Sequence, residues 1–328
     1  MGDVCFPQFD PATYKPHALH ASQHNWPETN CYVDLWIEVL SSCGFEPEAA
    51  LGFTVTQDFE GDQFTFFKFP PEDLAKLFDV TVQELAIYDR VEAHTLEQLR
   101  RGRLVLVEVD SYFLPDTRGT SYRLTHGKTT IAINRFDIAN RRLGYFHNAG
   151  YFGLDGEDFD GVFRRVPPPR AGEEAMFPYV EFVKFGGAPR RGIDLRNVSL
   201  ALLREHLRRR PSSNPIRAYQ QTFPSHLETL AQRPLEFFHL YAFNTLRQIG
   251  ANFELLGSYL GWLAAHGESG LDMAMTACGQ IADGAKSLQF QLARAVARKR
   301  FDKLEGALDS VADAYDTAIG DLWRKYGD

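Results

Sequence analysis

Cys31 is the residue of this chain best placed to do covalent chemistry. It lies in segment 23–40 (QHNWPETNCYVDLWIEVL), where Pro27 blocks helix upstream and Thr29 or Asn30 can cap a helix beginning at the cysteine. The turns that follow are apolar almost all round, with Asp34 and Glu38 forming a polar stripe. That pattern predicts a helix buried in a domain core, its N-terminus opening on a cleft. A thiol there feels the positive end of the helix dipole and unpaired amides, which favour thiolate and can hold an oxyanion. Most free cysteines are small buried hydrophobes, so the neighbourhood has to argue for a nucleophile.

A cysteine nucleophile needs a base that also donates a proton, usually a histidine oriented by a third polar group. Among ten histidines, His126 stands at the entrance to an apolar strand, in segment 123–133 (RLTHGKTTIAI). A histidine at a strand edge can face the same cleft as a helix N-terminus. The next strand runs through segment 144–148 (GYFHN). Antiparallel pairing brings its end near the first strand's start, so Asn148 or His147 can hold the imidazole. Lys128 and Thr129 follow His126 and alternate faces. Asp110 ends an earlier strand, where it can cap a turn, and Tyr112 follows it.

These residues need a scaffold. Segments 51–56 and 63–69 read as strands joined by a hairpin at Gly61, followed by strands over 103–110, 128–136, 142–148 and 179–185. A tight connection joins Arg135 to Arg142, and short helices are expected over 71–78 and 95–101, the second capped by Thr95 and ending at Gly102. The Pro-rich stretch 164–170 and the Gly/Pro stretch 185–192 break this pattern. Beyond Asp194, helical spacing runs through 195–209, 226–231, 235–266, 270–299 and 302–326, with 237–262 apolar on most sides like a central bundle helix. The expectation is an α+β chain, with an antiparallel-sheet domain over 1–190 and an all-helical domain over 191–328.

Length and composition allow two ordinary domains or one large one, with a soluble globular mix: 328 residues, 44% apolar and 24% charged. Four scattered cysteines without a CxxC pair argue against a disulfide framework or a structural zinc site, and no metal is expected. No apolar stretch approaches a membrane span, and the acidic N-terminus has no signal-like core, so the expectation is a cytoplasmic protein away from membranes. Pro7 and the lack of Ser or Thr at position 6 argue against myristoylation. The net charge of −8 divides unevenly: residues 164–210 carry eleven basic against five acidic groups, while the remainder sums to −14. That basic stretch is either a solvated face or a docking surface for something acidic. Overall acidity and the lack of a recognition motif disfavour nucleic acid.

The order of cysteine, strand-borne histidine and Asn or Asp on the next strand resembles the papain-like fold. Segments 29–36 (TNCYVDLW), 110–117 (DSYFLPDT), 126–131 (HGKTTI), 145–152 (YFHNAGYF) and 156–159 (GEDF), with the helical stretch 238–262, resemble domain-of-unknown-function family 1839 across most of the chain. The same succession is similar to the butirosin-pathway acyltransferase. The resemblance implies transfer of an acyl or aminoacyl group from a carrier protein's phosphopantetheine thioester to an amine. The third role then passes to Asn148, and the oxyanion residue ahead of the cysteine becomes Gln23 or Asn25. No cofactor is expected on the protein itself, because the pantetheine arm arrives with an acidic carrier-protein partner. The basic 164–210 segment would dock that carrier. The helical domain would shape the pocket for a small amine acceptor, with Asn244, Arg247, Glu254 and Lys286 as candidates beside Asp110 and Tyr112. The rival readings are a papain-like hydrolase (peptidase, amidase or thioesterase) and a non-catalytic carrier-binding module in which Cys31 is merely buried.

Overall fold

The structure is a computed structural model that describes residues 2–165, 177–302, 304 and 306–327. The chain forms two compact units. The first takes Met1–Ala18, Asn30–Phe45 and Leu74–Pro189, and the second takes Leu19–Thr29, Glu46–Asp73 and Arg190–Asp328. The helical unit is therefore more than the contiguous 191–328 stretch that periodicity suggests, because two earlier segments belong to it.

The first unit contains β1 (Asp3–Val4), α1 (Cys31–Ser42), α2 (Pro71–Phe78, whose first turn falls in the second unit), β2 (Val80–Glu84) and α3 (Val91–Arg100). β3 (Leu104–Asp110), β4 (Lys128–Asp137), β5 (Arg142–His147), β6 (Gly150–Asp155), α4 (Gly156–Val162) and β7 (Val180–Phe185) complete it. The strands form one antiparallel sheet in the order β2-β7-β3-β4-β5-β6, with β1 paired to β4. Val105, Val107, Val109, Ile131 and Ile133 point to one face and pack with Val91 and Leu99 of α3 and Phe159 and Val162 of α4. α1 packs against β4, β5 and β6. A sheet covered on both faces needs apolar residues at successive positions, which is why β3 and β4 read as near-continuous apolar runs.

Two expectations in this unit need correction. Thr95 is not a cap: its hydroxyl donates to the Val91 carbonyl at 2.8 Å, one turn inside a helix that starts at Val91. Strands β1, β2 and β6 and helix α4 are additional; each is short, and β2 has one buried residue among mostly exposed ones.

The second unit contains α5 (Gly192–Arg208), α6 (Pro215–Gln232), α7 (Leu235–Asn244), α8 (Leu246–Ala265), α9 (Asp272–Arg298) and α10 (Asp309–Tyr326). The segment 51–56 is not a strand but part of a 3-10 helix, Pro47–Thr56, buried on nearly every side against α5 and α8. Ser199 donates to the Ala49 carbonyl at 2.7 Å, and Asn252 donates to the Thr54 carbonyl at 2.9 Å. Its apolar, β-branched composition suits such a site as well as it suits a strand. Residues 63–69 form no strand either, only a bridge between Phe59 and Phe64 across the Gly61 turn. The long helix expected over 235–266 breaks at Thr245, whose backbone takes φ −125° and ψ −81°. α6 also starts eleven residues earlier than expected, capped by Asn214, whose side chain accepts the amides of Ile216 and Arg217. Pro224 inside it hides the first half from a periodicity count. Pro167, Pro168, Pro169 and Arg170 of the Pro-rich stretch lie outside the described residues. Among the described residues no helix is long and apolar enough to cross a membrane.

Candidate functional site

Cys31 opens α1, and Asn30 is its N-cap, accepting the amides of Tyr32 at 3.2 Å and Val33 at 3.0 Å. These two bonds satisfy the second and third orphan amides of the helix and leave the amide of Cys31 without an acceptor among the described residues. Cys31 is half-buried. From Tyr32 to Leu40 every residue is buried, including Asp34 and Glu38. Glu38 is held by the Tyr14 hydroxyl at 2.5 Å and the His17 amide at 2.9 Å, so the polar stripe of α1 is an internal anchor rather than a solvated face.

The direction of α1 follows from its ends. Tyr32 donates to Glu181 near the start of β7 at 3.2 Å, while Phe45, past the helix C-terminus, stacks on Phe78 just before β2. In the sheet, Val80 pairs with Phe185 and Glu84 with Glu181, so these contacts mark opposite ends of the strands. Leu106 pairs with Glu181, and Asp110 pairs with Lys128 further toward the same end. The N-terminus of α1 and the Asp110–His126 region thus share one end of the sheet.

At that end His126 has a defined partner. Its Nδ1 lies 2.5 Å from Oδ2 of Asp110. Oδ1 of the same carboxylate accepts the amides of Tyr112 at 3.0 Å and Gly127 at 3.1 Å. Burial acts to raise the Asp110 pKa, but the bonds from His126, Tyr112 and Gly127 outweigh it and hold the carboxyl below its usual value. The Tyr112 ring stacks on the imidazole with centroids 4.5 Å apart and planes 14° apart. With Nδ1 on the carboxylate and one ring face on tyrosine, Nε2 is the nitrogen left to exchange protons. The side chain of His126 is 73% exposed.

The partners expected for His126 need correction. Asn148 sits at φ +44° in the turn between β5 and β6 and makes no bond to His126. His147 is 1% exposed with both nitrogens engaged, Nδ1 with Asp116 at 2.5 Å and Nε2 with Thr129 at 2.8 Å. Tyr145 also donates to Asp116 at 2.5 Å, closing a buried network. Asp116 belongs to the loop between Asp110 and His126, so this network fixes the middle of the loop that leads to His126. Asp110, expected as a substrate contact, is therefore the residue that holds the His126 imidazole. The legible signal was a carboxylate closing the strand before the histidine strand, since antiparallel pairing puts that strand's end beside the next one's start.

Beside the cysteine, Glu181 accepts the hydroxyls of Tyr32 and Tyr179, the latter at 2.9 Å. Burial and Glu181 push the Tyr179 phenol up to about 12. Lys128 is occupied by Glu108 at 2.7 Å.

The remaining candidates lie in the helical unit. Gln23 is exposed, and the Asn25 side chain donates to Asp283 on α9. Glu254 accepts the amides of Asn25 at 2.9 Å and Trp26 at 2.6 Å, and Arg247 donates to the Glu28 carbonyl at 2.7 Å. The Lys286 ammonium lies 4.1 Å from the Trp26 ring centroid. Burial and Arg247 lower its pKa against the pull of Glu254. Trp26 itself packs on Gly250, where an added Cβ would meet the indole at 2.3 Å. Arg247, Glu254 and Lys286, expected to line an acceptor pocket, instead grip the segment that leads into Cys31. Asn244 is not part of that grip and donates to the Leu240 carbonyl of its own helix. In the basic 164–210 stretch, Arg165 is spent on Glu92 at 2.8 Å and Asp160 at 3.3 Å. Among the described residues no group of three His, Cys, Asp or Glu side chains could hold a metal ion.

Two family models match the chain, the DUF1839 N-terminal domain over residues 15–185 and the DUF1839 C-terminal domain over residues 193–324. No curated protein matches it.

Proposed function

We propose that this chain, which belongs to the DUF1839 family, is a cysteine-dependent acyltransferase of papain-like design. The observation that carries the reading is the His126–Asp110 pair at the sheet end where α1 begins with Cys31. Cysteine, histidine and carboxylate then have the three roles that nucleophilic acyl transfer requires.

In the first step Sγ of Cys31 gives its proton to Nε2 of His126 and attacks the carbonyl carbon of a thioester. The oxyanion is met by the free amide of Cys31 at the helix terminus. Collapse forms the Cys31 thioester and expels a pantetheine thiolate, which takes the proton back from His126. Exchange between thioesters is nearly isoenergetic. In the second step an amine attacks, His126 accepts its proton, and Cys31 leaves as thiolate. Asp110 fixes the tautomer and stabilises the imidazolium in both steps. The donor in this reading is an acyl or aminoacyl group on the phosphopantetheine arm of an acidic carrier protein, and the acceptor is a small amine. What suggests that substrate class is the resemblance read from the sequence, in which a valine-rich strand ending in segment 110–115 (DSYFLP) precedes the histidine strand as in the butirosin-pathway acyltransferase.

Intact-mass analysis with an aminoacylated carrier protein tests it. Wild type is expected to gain the aminoacyl mass and Cys31→Ala to gain none; equal gain in both would refute an acyl-enzyme on Cys31. His126→Ala is expected to retain little transfer from a preformed adduct to an added amine. A second reading, hydrolysis, draws support from the 73% exposure of His126, which leaves Nε2 open to water. Loss of adduct mass with free acid as the sole product, amine being present, favours that reading.

A further inference from the structure

At the end of the sheet away from His126, a cleft of about 400 Å³ is lined by Asp79, Thr81, Arg101, Arg103, Lys184 and Phe185 together with Gly102 and Gly186. We infer that this cleft binds a phosphate group, and that Arg103 and Lys184 are its principal ligands.

The first argument is the cost that the fold bears there. Leu104 pairs with Val183, so Arg103, one residue before β3, comes level with Lys184 on the neighbouring strand. Like charges side by side across two strands destabilise a sheet unless something neutralises them. Among the described residues neither cation pairs with a carboxylate. Arg103 donates to the amide oxygen of Gln98 at 3.0 Å, and Lys184 to that of Gln83 at 2.7 Å. Both partners are neutral, so they orient the charges without cancelling them. The Phe182 ring lies 5.3 Å from the Arg103 guanidinium and 5.1 Å from the Lys184 ammonium, restraining both further.

The second argument is the balance of the remaining lining. Arg101 adds a third cation, paired with Glu97 at 2.6 Å in an exposed ion pair that cancels its charge only partly. The single carboxylate of the cleft, Asp79, turns its Oδ2 to the Ala188 amide at 3.3 Å. Three cations against one engaged carboxylate leave a net positive hollow, already oriented and large enough for a phosphate with part of its ester. Guanidinium and ammonium together match phosphate, which accepts several charge-assisted bonds through tetrahedral oxygens. β3 runs from Leu104 beside the cleft to Asp110 beside His126, a span of roughly 20 Å at about 3.3 Å per residue. The site is thus separate from the proposed catalytic residues and does not depend on that reading.

Isothermal titration of the full chain with inorganic phosphate, pyrophosphate and ribose 5-phosphate, at constant ionic strength, tests the assignment. Wild type is expected to bind at least one of the three, and Arg103→Gln and Lys184→Gln to bind it about tenfold more weakly each. The double variant is expected to show no binding, and Arg324→Gln, an exposed arginine elsewhere, to bind like wild type. Glutamine keeps most of each stem, and unchanged urea midpoints would show that the variants fold. Tighter binding of the sugar phosphate than of inorganic phosphate assigns the ligand to the esters; equal binding assigns it to the phosphate group alone. No binding of any of the three by wild type, or equal binding by the double variant, overturns the inference.

Discussion

In the proposed mechanism Asp110 is one carboxylate that joins stability to chemistry. Replacing it with Asn leaves the size unchanged but removes the charge that fixes His126, and the amide can present its NH₂ to Nδ1 and favour the wrong tautomer. Single-turnover transfer from the Cys31 adduct to amine is expected to fall by two to four orders of magnitude, roughly the range set by misoriented or missing base catalysis. Stability carries a matching signature. A carboxyl whose folded pKa lies below its ordinary value of 3.8 contributes fully above that pH and loses its contribution as pH falls through the depressed value. The difference in urea midpoint between wild type and Asp110→Asn should therefore shrink as pH falls below about 3.8. A gap that persists undiminished far below that value would contradict the bonding described. His147 is the contrasting case, a buried histidine whose contacts are wholly internal. His147→Phe strands Asp116 beside Tyr145 in the core and should cost about 3 kcal/mol in chemical denaturation.

At the scale of elements, α1 depends on its cap. Asn30→Ala removes the acceptor for two amides and should cost about 1 kcal/mol by urea unfolding. How much of the architecture was legible follows the same local logic. α2 was readable to the residue and β3 and β4 to within one, because their patterns agree with their burial. Segment 51–56 was not, since an apolar run fits a strand and a buried 3-10 helix equally and only the packing of α5 and α8 decides. The break at Thr245 was hidden in the same way, because apolar spacing continues across it. Cys31 at a capped helix start and His126 at a strand entrance were legible in the sequence. Their third partner was not, because Asp110 reaches His126 through the register between β3 and β4, across sixteen residues of sequence.

For the molecule as a whole, the decisive feature is that neither compact unit is one stretch of chain. Residues Leu19–Thr29 and Glu46–Asp73 separate segments of the sheet unit while belonging to the helical one. A fragment cut at residue 189 keeps these segments and loses the helices they pack on, which leaves Trp26, Leu51, Phe53 and Val55 uncovered. It is expected to bind a hydrophobic dye and associate on size exclusion, whereas the full chain stays dark and runs at a fixed size. A monomeric, dye-silent fragment would mean that those segments fold without α5 to α10.

The grip on residues 24–28 also has a meaning in time. Glu254, which holds the amides of Asn25 and Trp26, lies 229 residues beyond Asn25, and Asp283 and Lys286 come later still. A ribosome adding about 5–20 residues per second needs roughly ten to fifty seconds to bridge that gap. Throughout that interval the nascent polypeptide carries its thiol behind an untethered segment, and the anchor arrives only after more than two hundred further residues have been added.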